Sequence, residues 1–558
     1  MTITERSVPG PGATKTLTGG QAVVETLARL GVRAAFGIPG VHNLAIYDAL
    51  VDHPEIQHLV ARHEQGAAFM ADGYARVTGK TAAVLVTTGP GVLNSLTPLA
   101  EAYADSQPVL LIGTVGSSHY LGQYKGTLHE MRDQAALLDL TTAGCWRVRE
   151  MRDIPAAVAA AYQATRAARR RPAAVEIPID FLDGTAEFTL PAPVPETPAL
   201  PPDPGLIDQA AEWLLGATRP LLYAGGGVIS ADGSAALTAL AEALNAPVLT
   251  STMGKGAIDE LHPLALGGTW GPSSVPRRGG LHFEVLQRAD AALAVGTRFT
   301  GMSTGHWALP FPSRLIHVDV DPEEFGRNYR PELAIQADAR AALEALLQAV
   351  RGRRPASQWS AEELAEYKRR WRDEARAHSP LGLAFVEALR AAIPPDGVLA
   401  NDQCMLNYWA SRFYPVRASR TFLYPIGSAT LGFGAPAGYG AKAGRPDLPV
   451  VVVAGDGGFL FTVQELASAV QARLAVPVVV LNDGAYGMIK AAQRRRFGER
   501  FLAVDLENPD FVRLGEAFGA HATRADSPEA LQRAVATALA ADRPTLIEVQ
   551  AQLPPPIW

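Results

Sequence analysis

The chain is poor in cysteine, with only Cys145 and Cys404 among its 558 residues. Two thiols cannot build the disulfide framework of a small secreted domain, and they cannot form a cysteine-based zinc site. A large chain with so little cysteine is typical of a reducing compartment. The sequence therefore predicts a cytoplasmic protein.

A concentrated patch of positive charge is also missing. Lys and Arg number 50 against 56 Asp and Glu, which gives a formal net charge of −6. The basic residues are spread along the chain, whereas a nucleic-acid-binding face needs them gathered in a block or stripe. The sequence therefore predicts no nucleic-acid partner.

Long apolar runs are absent as well. Runs such as 450–454 and 476–481 fall far short of the about 20 residues that a membrane-spanning helix needs. We expect these runs to be buried strands and the protein to have no membrane partner. Residues 1–16 lack the apolar centre of a signal peptide and are predicted to form a loose tail.

The chain is long, and changes in its composition indicate where one domain ends and the next begins. At about 150 residues per domain, 558 residues predict three or four domains. Seven prolines lie between Pro191 and Pro204, and proline sustains neither a helix nor a central strand. A second polar stretch covers 351–360. The predicted division is a first domain at 1–185, a proline-rich linker at 186–204, a second domain at 205–350 and a third at 351–558.

Each predicted domain repeats the same order of elements. A short apolar run ends in Gly, Pro or Asp, and a helical pattern rich in Ala and Leu follows it. Strands that alternate with helices form parallel sheets covered by helices. The sequence therefore predicts an α/β fold with three doubly wound parallel-sheet domains. Strands are expected at 57–61, 82–86, 109–112, 220–223, 291–295, 315–320, 450–454 and 476–481.

The turn after the run at 450–454 carries the strongest chemical signal. Gly-Asp-Gly-Gly at 455–458 precedes a helix that is expected to reach about residue 473, and a second strand ends just before Asp483. A right-handed strand–helix–strand unit sets both strand ends at one edge of the sheet, so Asp456 and Asp483 can converge on one ion. Oxygen ligands suit Mg²⁺, and the glycines and helix start suit a diphosphate.

Residues 450–490, VVVVAGDGGFLFTVQELASAVQARLAVPVVVLNDGAYGMIK, resemble the signature of the thiamine-diphosphate-dependent enzyme family. That signature opens with Gly-Asp-Gly and closes with Asn-Asn. The resemblance implies thiamine diphosphate as cofactor and Mg²⁺ bound by Asp456, by the side chain of Asp483 and by the main-chain carbonyl of Ala485. Asp483 stands where the family usually has the second Asn, which adds a negative charge to the site.

A second segment with this resemblance is RHEQGAAFMADGYARVTGK at 62–80. Glu64 lies there between a predicted strand and a helix expected from about residue 67, and local pattern alone favours a helix cap. The resemblance implies instead that Glu64 contacts the aminopyrimidine ring of the cofactor. A carboxylate at that ring helps the cofactor to lose the proton of its thiazolium carbon, which then attacks a 2-oxo acid.

In this family, different subunits hold the pyrimidine and diphosphate ends of the cofactor. Glu64 of one chain would then serve the cofactor bound at Asp456 of another, which implies a homodimer at least; a homotetramer is common among relatives. The resemblance makes 1–185 the pyrimidine-binding domain, 205–350 the middle domain and 351–558 the diphosphate- and Mg²⁺-binding domain.

The resemblance also implies a wider set of cofactor contacts. Leu431, within IGSATLGFG at 426–434, would support the bent shape of the cofactor, and an ordinary core leucine is the alternative. The implied cofactor-binding residues are Gly40, Gly89, Asn94, Leu431, Gly455, Asp456, Gly457, Gly458 and Met488.

Within the family, the chain looks most like the acetolactate synthase group, but two segments depart from it. Leu-His-Glu at 128–130 replaces Phe-Gln-Glu, and Cys-Met-Leu-Asn at 404–407 replaces Gly-Gln-His-Gln. GTLHE at 126–130 and FGIPGVHNL at 36–44 look more like the 5-guanidino-2-oxopentanoate decarboxylases. We therefore expect decarboxylation of a 2-oxo acid, with this guanidino acid as the candidate substrate and an aldehyde as product.

Three further side chains are candidates for handling the substrate. His129 falls where pyruvate decarboxylases place the first histidine of a His-His pair. Such a histidine could protonate the carbon left after CO₂ has departed; the alternative is a histidine fixed by hydrogen bonds in a loop. Glu130 and Asp402 are candidates to pair with a substrate guanidinium, or else are polar surface residues.

Two other activities stay open at this point. One is an acetolactate synthase-type carboligase that condenses two 2-oxo acids, and the other is a flavin-containing oxidoreductase of the pyruvate oxidase type. Gly-rich turns at 225–227 and 296–299 lie where relatives approach FAD, but neither forms a full dinucleotide fingerprint, so FAD is not favoured. A binding protein without turnover is disfavoured because Glu64 and Asp456 are both present.

Overall fold

The computed structural model describes residues 11–193, 198–269 and 280–557. Within them the chain forms three α/β domains, each built on a six-stranded parallel sheet. The predicted fold class is therefore confirmed. Among these residues, no helix combines the length and the apolar character that a bilayer crossing requires.

The first domain contains eight strands and seven helices. They are β1 (Pro11–Thr18), α1 (Gly19–Arg29), β2 (Ala34–Gly37), α2 (Leu44–Leu50), β3 (Gln57–Val60), α3 (Glu64–Thr78), β4 (Ala82–Val86), α4 (Pro90–Ala104), β5 (Val109–Val115), α5 (Gln134–Thr141), β6 (Cys145–Arg147), α6 (Ile154–Thr165), β7 (Ala173–Pro178), α7 (Ile179–Asp183) and β8 (Thr185–Pro191). The parallel sheet has the order β3-β2-β4-β5-β7-β6, and β1 pairs with β8 in a separate antiparallel ribbon.

The middle domain has a sheet of order β11-β10-β9-β12-β13-β14. Its elements are α8 (Pro204–Gly216), β9 (Pro220–Ala224), α9 (Gly226–Ser230), α10 (Ser234–Leu244), β10 (Val248–Thr250), β11 (Ala265–Gly268), α11 (Leu281–Arg288), β12 (Ala291–Val295), α12 (Gly301–Thr304), β13 (Leu315–Asp319), β14 (Leu333–Gln336) and α13 (Ala339–Val350).

The last domain has a sheet of order β16-β15-β17-β18-β20-β19. Its elements are α14 (Ala361–His378), α15 (Pro380–Ala392), β15 (Val398–Asn401), α16 (Met405–Phe413), β16 (Phe422–Leu423), α17 (Gly434–Gly444), β17 (Val450–Gly455), α18 (Asp456–Leu460), α19 (Glu465–Gln471), β18 (Pro477–Asn482), α20 (Gly487–Phe497), α21 (Phe511–Ala517), β19 (His521–Ala525), α22 (Pro528–Ala538) and β20 (Thr545–Gln550).

The central strands are mostly apolar because both faces of each sheet are buried. In β17, Val450 and Val452 face one hydrophobic core while Val451 and Val453 face another. β17 and β18 are adjacent and parallel, with Gly455 opposite Leu481. The residues that follow these two strands therefore meet at one edge of the sheet.

The tail and the linker differ from the sequence-based expectation. Residues 11–16 of the predicted tail belong to β1, and residues 186–191 of the predicted linker belong to β8. Alternation explains this ribbon, because Phe188 and Leu190 are buried while Glu187 and Thr189 are exposed. Residues 1–10 of the tail and 194–197 of the linker lie outside the described residues.

The chain beyond residue 350 still completes the middle domain. Trp359, Leu364 and Tyr367 pack into the core of that domain. The indole N–H of Trp359 also donates a hydrogen bond to the carbonyl of Pro220, at 2.8 Å. The predicted boundary at 350/351 therefore separates helix α13 from side chains that share its core.

The helix predicted to follow residue 458 and to reach about residue 473 is wrong as one continuous element. It is divided into α18 and α19 by a turn at 461–464. The hydroxyl of Thr462 in this turn donates to the carbonyl of Gly432, at 2.8 Å. Because that bond comes from a distant loop, the local helical pattern could not reveal the interruption.

The first and last domains share one hydrophobic core, which helices α3 and α17 cross. These helices approach so closely that a Cβ atom at Gly440 would lie 1.8 Å from the carbonyl oxygen of Met70, and one at Gly73 would lie 2.0 Å from that of Ala437. Glycine at both positions is therefore a steric requirement of the contact between the two helices.

We expect Gly440→Ala to lower the free energy of unfolding by about 3 kcal/mol, because the new methyl group must push two backbones apart. Chemical denaturation of the purified variant measures this change. Gly216→Ala is the matched control, since a Cβ atom at that helical glycine meets nothing within 4 Å. Equal stabilities of the two variants would contradict the close contact between α3 and α17.

Candidate active site

Glu64 is the first residue of α3, at the point where the chain leaves β3. Its side chain is half-buried, and its Oε2 atom accepts a hydrogen bond from the amide of Asn94, at 2.8 Å. A Cβ atom at Gly91, at the start of α4, would lie 3.4 Å from Oε1. The carboxylate is thus held between the starts of two helices.

The turn before α4 brings the predicted residues Gly89 and His129 together. Gly89 has a φ of +65°, and a Cβ atom there would lie 2.4 Å from the carbonyl oxygen of His129. The backbone N–H of Gly89 donates to Gln134 Oε1, at 2.8 Å. Gly40 lies beside the same turn, where a Cβ atom would meet the side chain of Thr87 at 2.9 Å.

His129 lies beside a second histidine, His42, with ring centroids 5.3 Å apart. His42 Nδ1 is 2.9 Å from Thr88 Oγ1, and its pKa is lowered by burial and then by the charge of His129. His129 Nδ1 is buried and finds no hydrogen-bond partner among the described residues. His42 lies in the segment FGIPGVHNL at 36–44, but the sequence did not predict its contact with His129. The two histidines are far apart along the chain, and only the fold brings them together.

Asp456 begins α18 directly after β17 and is almost fully buried. Its Oδ1 atom accepts from the N–H of Gly457 at 2.8 Å, and Oδ2 accepts from the N–H of Gly484 at 2.9 Å. Oδ2 also accepts from the amide of Asn508, at 2.6 Å. The sequence did not indicate Asn508, because this residue lies far along the chain from the turns that carry Asp456 and Asp483.

Asp483 follows β18 and lies close to Asp456. Burial, and then the negative charge of Asp456, raise the pKa of Asp483 to about 6. The backbone hydrogen bonds around Ala485 use the carbonyl of Gly484 and the N–H of Tyr486, and not the carbonyl of Ala485. Two carboxylates that keep lone pairs, with a nearby main-chain oxygen, form a donor set that fits Mg²⁺.

No group of three or more His, Cys, Asp or Glu side chains suited to a metal occurs in the part of the chain that the structure describes. A Mg²⁺ ion at Asp456 and Asp483 would need the carbonyl of Ala485 and ligand oxygens to complete a coordination shell of about six. Such sharing with a phosphate is the usual arrangement for Mg²⁺ in proteins.

The glycines after β17 allow close approach at this edge. A Cβ atom would lie 2.9 Å from Cys404 at Gly455, 2.6 Å from the ring of Tyr486 at Gly457, and 2.9 Å from Asp402 at Gly458. Side chains at these positions would therefore displace the groups that surround Asp456. Met488 lies nearby in α20, half-buried against the core of the last domain.

Leu431 lies in a loop that Asp402 and Thr462 hold. Buried Asp402 accepts from the N–H of Gly432 at 3.2 Å and of Gly434 at 2.9 Å. Leu431 itself is half-buried, whereas Phe433 lies in the core that the first and last domains share. Leu431 thus does not belong to that core, and its contact with the cofactor stays a prediction.

Both candidates for guanidinium recognition already accept backbone hydrogen bonds. The oxygens of Asp402 accept the backbone N–H groups of Gln403, Gly432 and Gly434. Glu130 accepts those of its own loop, with Gly126 at 2.6 Å and Thr127 at 3.0 Å. Both carboxylates therefore hold loops together, and their binding of a substrate guanidinium stays a prediction.

The middle domain borders a cavity of about 930 Å³. Its lining includes Gly226, Gly227, Gly296, Arg298 and Asp319, at the ends of strands β9, β12 and β13. A Cβ atom at Gly225 would lie 2.1 Å from the carbonyl of Gly296, so the two glycine-rich turns predicted from the sequence cross here.

Comparison with known proteins identifies the family to which this chain belongs. The chain is a member of the thiamine pyrophosphate enzyme family. The N-terminal TPP binding domain of that family matches residues 17–137, the central domain matches 207–346 and the C-terminal TPP binding domain matches 402–549.

Individual relatives match over almost the full chain. The chain is 40% identical to a probable 2-ketoarginine decarboxylase of Pseudomonas aeruginosa, over 96% of this chain and 94% of that protein. It is 34% identical to the acetolactate synthase large subunit of Corynebacterium glutamicum, over 96% and 87%. A probable acetolactate synthase large subunit of Methanocaldococcus jannaschii is 32% identical, over 95% and 91%.

Proposed function

We propose that this chain is a thiamine-diphosphate- and Mg²⁺-dependent decarboxylase of 5-guanidino-2-oxopentanoate, which releases an aldehyde and CO₂. 2-Ketoarginine is another name for this acid. The observation that carries the proposal is the 40% identity to the probable 2-ketoarginine decarboxylase along nearly the whole chain.

In this proposal, the residues around Glu64 and the residues around Asp456 have separate tasks. Glu64, oriented by Asn94, contacts the aminopyrimidine ring, while Asp456, Asp483 and the carbonyl of Ala485 hold Mg²⁺. When bound, the cofactor supplies the electron sink that receives the electrons of the bond to the departing CO₂. The remaining proposed cofactor contacts are Gly40, Gly89, Leu431, Gly455, Gly457, Gly458 and Met488.

The pair of His42 and His129 supports decarboxylation rather than carboligation. The lowered pKa of His42 favours its neutral form, which can share a hydrogen bond with Thr88. His129 keeps a buried ring nitrogen without a partner among the described residues. We assign to His129 the delivery of a proton to the substrate carbon that has lost CO₂, because this carbon must be protonated before an aldehyde can be released.

The proposal includes a homodimer, and a homotetramer built from two dimers, with Glu64 serving the partner's cofactor. Exposed apolar side chains support it, because a monomer would leave them in water. Four such side chains, each 41–67% exposed, lie between β5 and α5: Tyr120, Leu121, Tyr124 and Leu128.

Cys145 and Cys404 are both free thiols, which agrees with the cytoplasm as the proposed compartment.

The cavity beside Gly226 and Gly296 supports the flavin hypothesis as a second candidate. Its volume of about 930 Å³ lies in the upper range for ligand pockets. Simple decarboxylation transfers no electrons to an acceptor, so the proposed reaction needs no FAD. A flavin absorption spectrum of the purified protein would support the oxidoreductase alternative.

Purified protein with thiamine diphosphate, Mg²⁺ and the guanidino acid is expected to release CO₂ and an aldehyde that keeps the guanidino group. A coupled aldehyde assay measures this reaction, with pyruvate as the comparison substrate. Rapid formation of acetolactate from pyruvate would show a carboligase instead and would overturn the proposal.

Glu64→Gln is expected to lower kcat on the order of 10²- to 10⁴-fold, because the amide cannot share a proton with the pyrimidine ring. Proton–deuterium exchange at the thiazolium carbon should slow in parallel, while the cofactor still binds. The control is Glu55→Gln, which changes an exposed glutamate of the same domain. Wild-type exchange in the Glu64 variant would remove this residue from the mechanism.

Asp456→Ala is expected to abolish Mg²⁺-dependent cofactor binding, because it removes a buried metal ligand. Asp483→Asn keeps an oxygen and loses one charge, so its Mg²⁺ affinity should fall on the order of tenfold. Calorimetric titration measures both changes. Asp505→Asn is the matched control, since Asp505 pairs with Lys490 nearby and is 68% exposed. The same loss in all three variants would argue against a specific metal site.

A further inference from the structure

Glu465, the first residue of α19, is a buried carboxylate with no role in the chemistry described so far. Its side chain is fully buried, and burial raises its pKa to about 7. A charged group is rarely placed in such a position unless specific contacts favour it. The contacts of Glu465 lead directly to the segment that carries Glu64.

The carboxylate of Glu465 accepts hydrogen bonds from the backbone immediately before Glu64. Its Oε1 atom accepts the N–H of His63 at 2.9 Å, and both oxygens accept the N–H of Arg62, at 3.2 and 3.1 Å. Oε2 also accepts the hydroxyl of Ser468, at 2.9 Å. The last domain thus fixes the end of the loop that leads into α3.

A second contact from α19 holds the same loop. The guanidinium of Arg62 donates to Gln471 Oε1, at 2.7 Å. Arg62 is therefore fixed through its backbone by Glu465 and through its side chain by Gln471. Because Glu64 follows two residues later, a shift of this segment would carry Glu64 with it.

Gly66 provides the space for this arrangement. A Cβ atom at Gly66 would lie 2.4 Å from Cδ and Oε1 of Glu465. The first turn of α3 therefore accepts the carboxylate only because residue 66 has no side chain. An anionic group at this end of a helix also interacts favourably with the helix dipole.

We propose that Glu465 is a positioning residue for Glu64: by binding the backbone N–H groups of Arg62 and His63, it sets the place from which Glu64 reaches the cofactor. This inference rests on the proposed function of Glu64. Glu465 touches neither cofactor nor substrate in this role and acts only through the loop.

Two variants disturb the contact from opposite sides. In Glu465→Gln, the side-chain NH₂ group that replaces Oε2 cannot accept the N–H of Arg62 and instead faces this second donor, which should push the loop away. In Gly66→Ala, the new methyl group displaces the carboxylate, which is the flexible end of its side chain. Ser468→Ala is the control, because it removes a hydrogen bond to Glu465 and leaves both backbone contacts in place.

The experiment compares the holoenzymes in kcat, in cofactor Kd and in proton–deuterium exchange at the thiazolium carbon. Misplacement of Glu64 should lower kcat and exchange together, on the order of 10- to 100-fold, in both Glu465→Gln and Gly66→Ala. Cofactor Kd should change less than about threefold, and Ser468→Ala should resemble wild type. If Glu465→Gln does not fold, Gly66→Ala decides by the same measurements.

Wild-type exchange and kcat in a folded Glu465→Gln or Gly66→Ala protein would overturn the inference, even if its melting temperature fell. Glu64→Gln is measured alongside to separate the two proposals. Loss of exchange in Glu64→Gln with normal exchange in the other two variants refutes the positioning role alone. A wild-type protein without cofactor-dependent exchange or turnover refutes the proposed function and this inference with it.

Discussion

The site depends on the contact between α3 and α17, where the backbones of the first and last domains touch through Gly73 and Gly440. The same interface buries Arg76, whose guanidinium donates to Asp72, Asp105 and the carbonyl of Tyr424. An unpaired cation here would be costly, so these partners must all be in place when the helices meet. Helix α3 begins at Glu64, and α17 follows the loop that contains Leu431. The contact between the two helices therefore fixes where Glu64 and this loop lie relative to each other.

On each side of the interface, a buried glutamate of one domain accepts backbone N–H groups from a loop of the other domain. Glu465 of the last domain binds the backbone before Glu64, and Glu101 of the first domain accepts the N–H groups of Gly427 and Ser428, both at 3.1 Å. Glu101 also accepts the hydroxyl of Ser428, at 2.6 Å. Each domain therefore orders a segment of the other, and neither the Glu64 segment nor the Leu431 loop is positioned by its own domain alone.

Much of this fold could be predicted from the sequence, because buried parallel strands are continuous apolar runs that end in glycine or aspartate. The run at 82–86 matches β4, and the strands before Asp456 and Asp483 are neighbours, as the strand–helix–strand pattern indicates. Features that depend on distant contacts could not be predicted. The break before α19 depends on Gly432, the partner of His129 lies at His42, and Asn508 reaches Asp456 from a later loop.

The backbone hydrogen bonds of Asp402 and Glu130 limit how these two carboxylates could bind the substrate. Each carboxylate accepts several backbone N–H groups, so a guanidinium could use only the lone pairs that these bonds leave unless it breaks bonds that hold the Leu431 loop or the His129 loop. Under the proposed function, the five N–H donors of the substrate guanidinium therefore need further acceptors. In the proposed dimer the cofactor lies between two chains, and acceptors from the chain that supplies Glu64 and from the chain that supplies Asp456 can both contribute. Substrate selectivity would then depend on the same contact between subunits that completes the cofactor site.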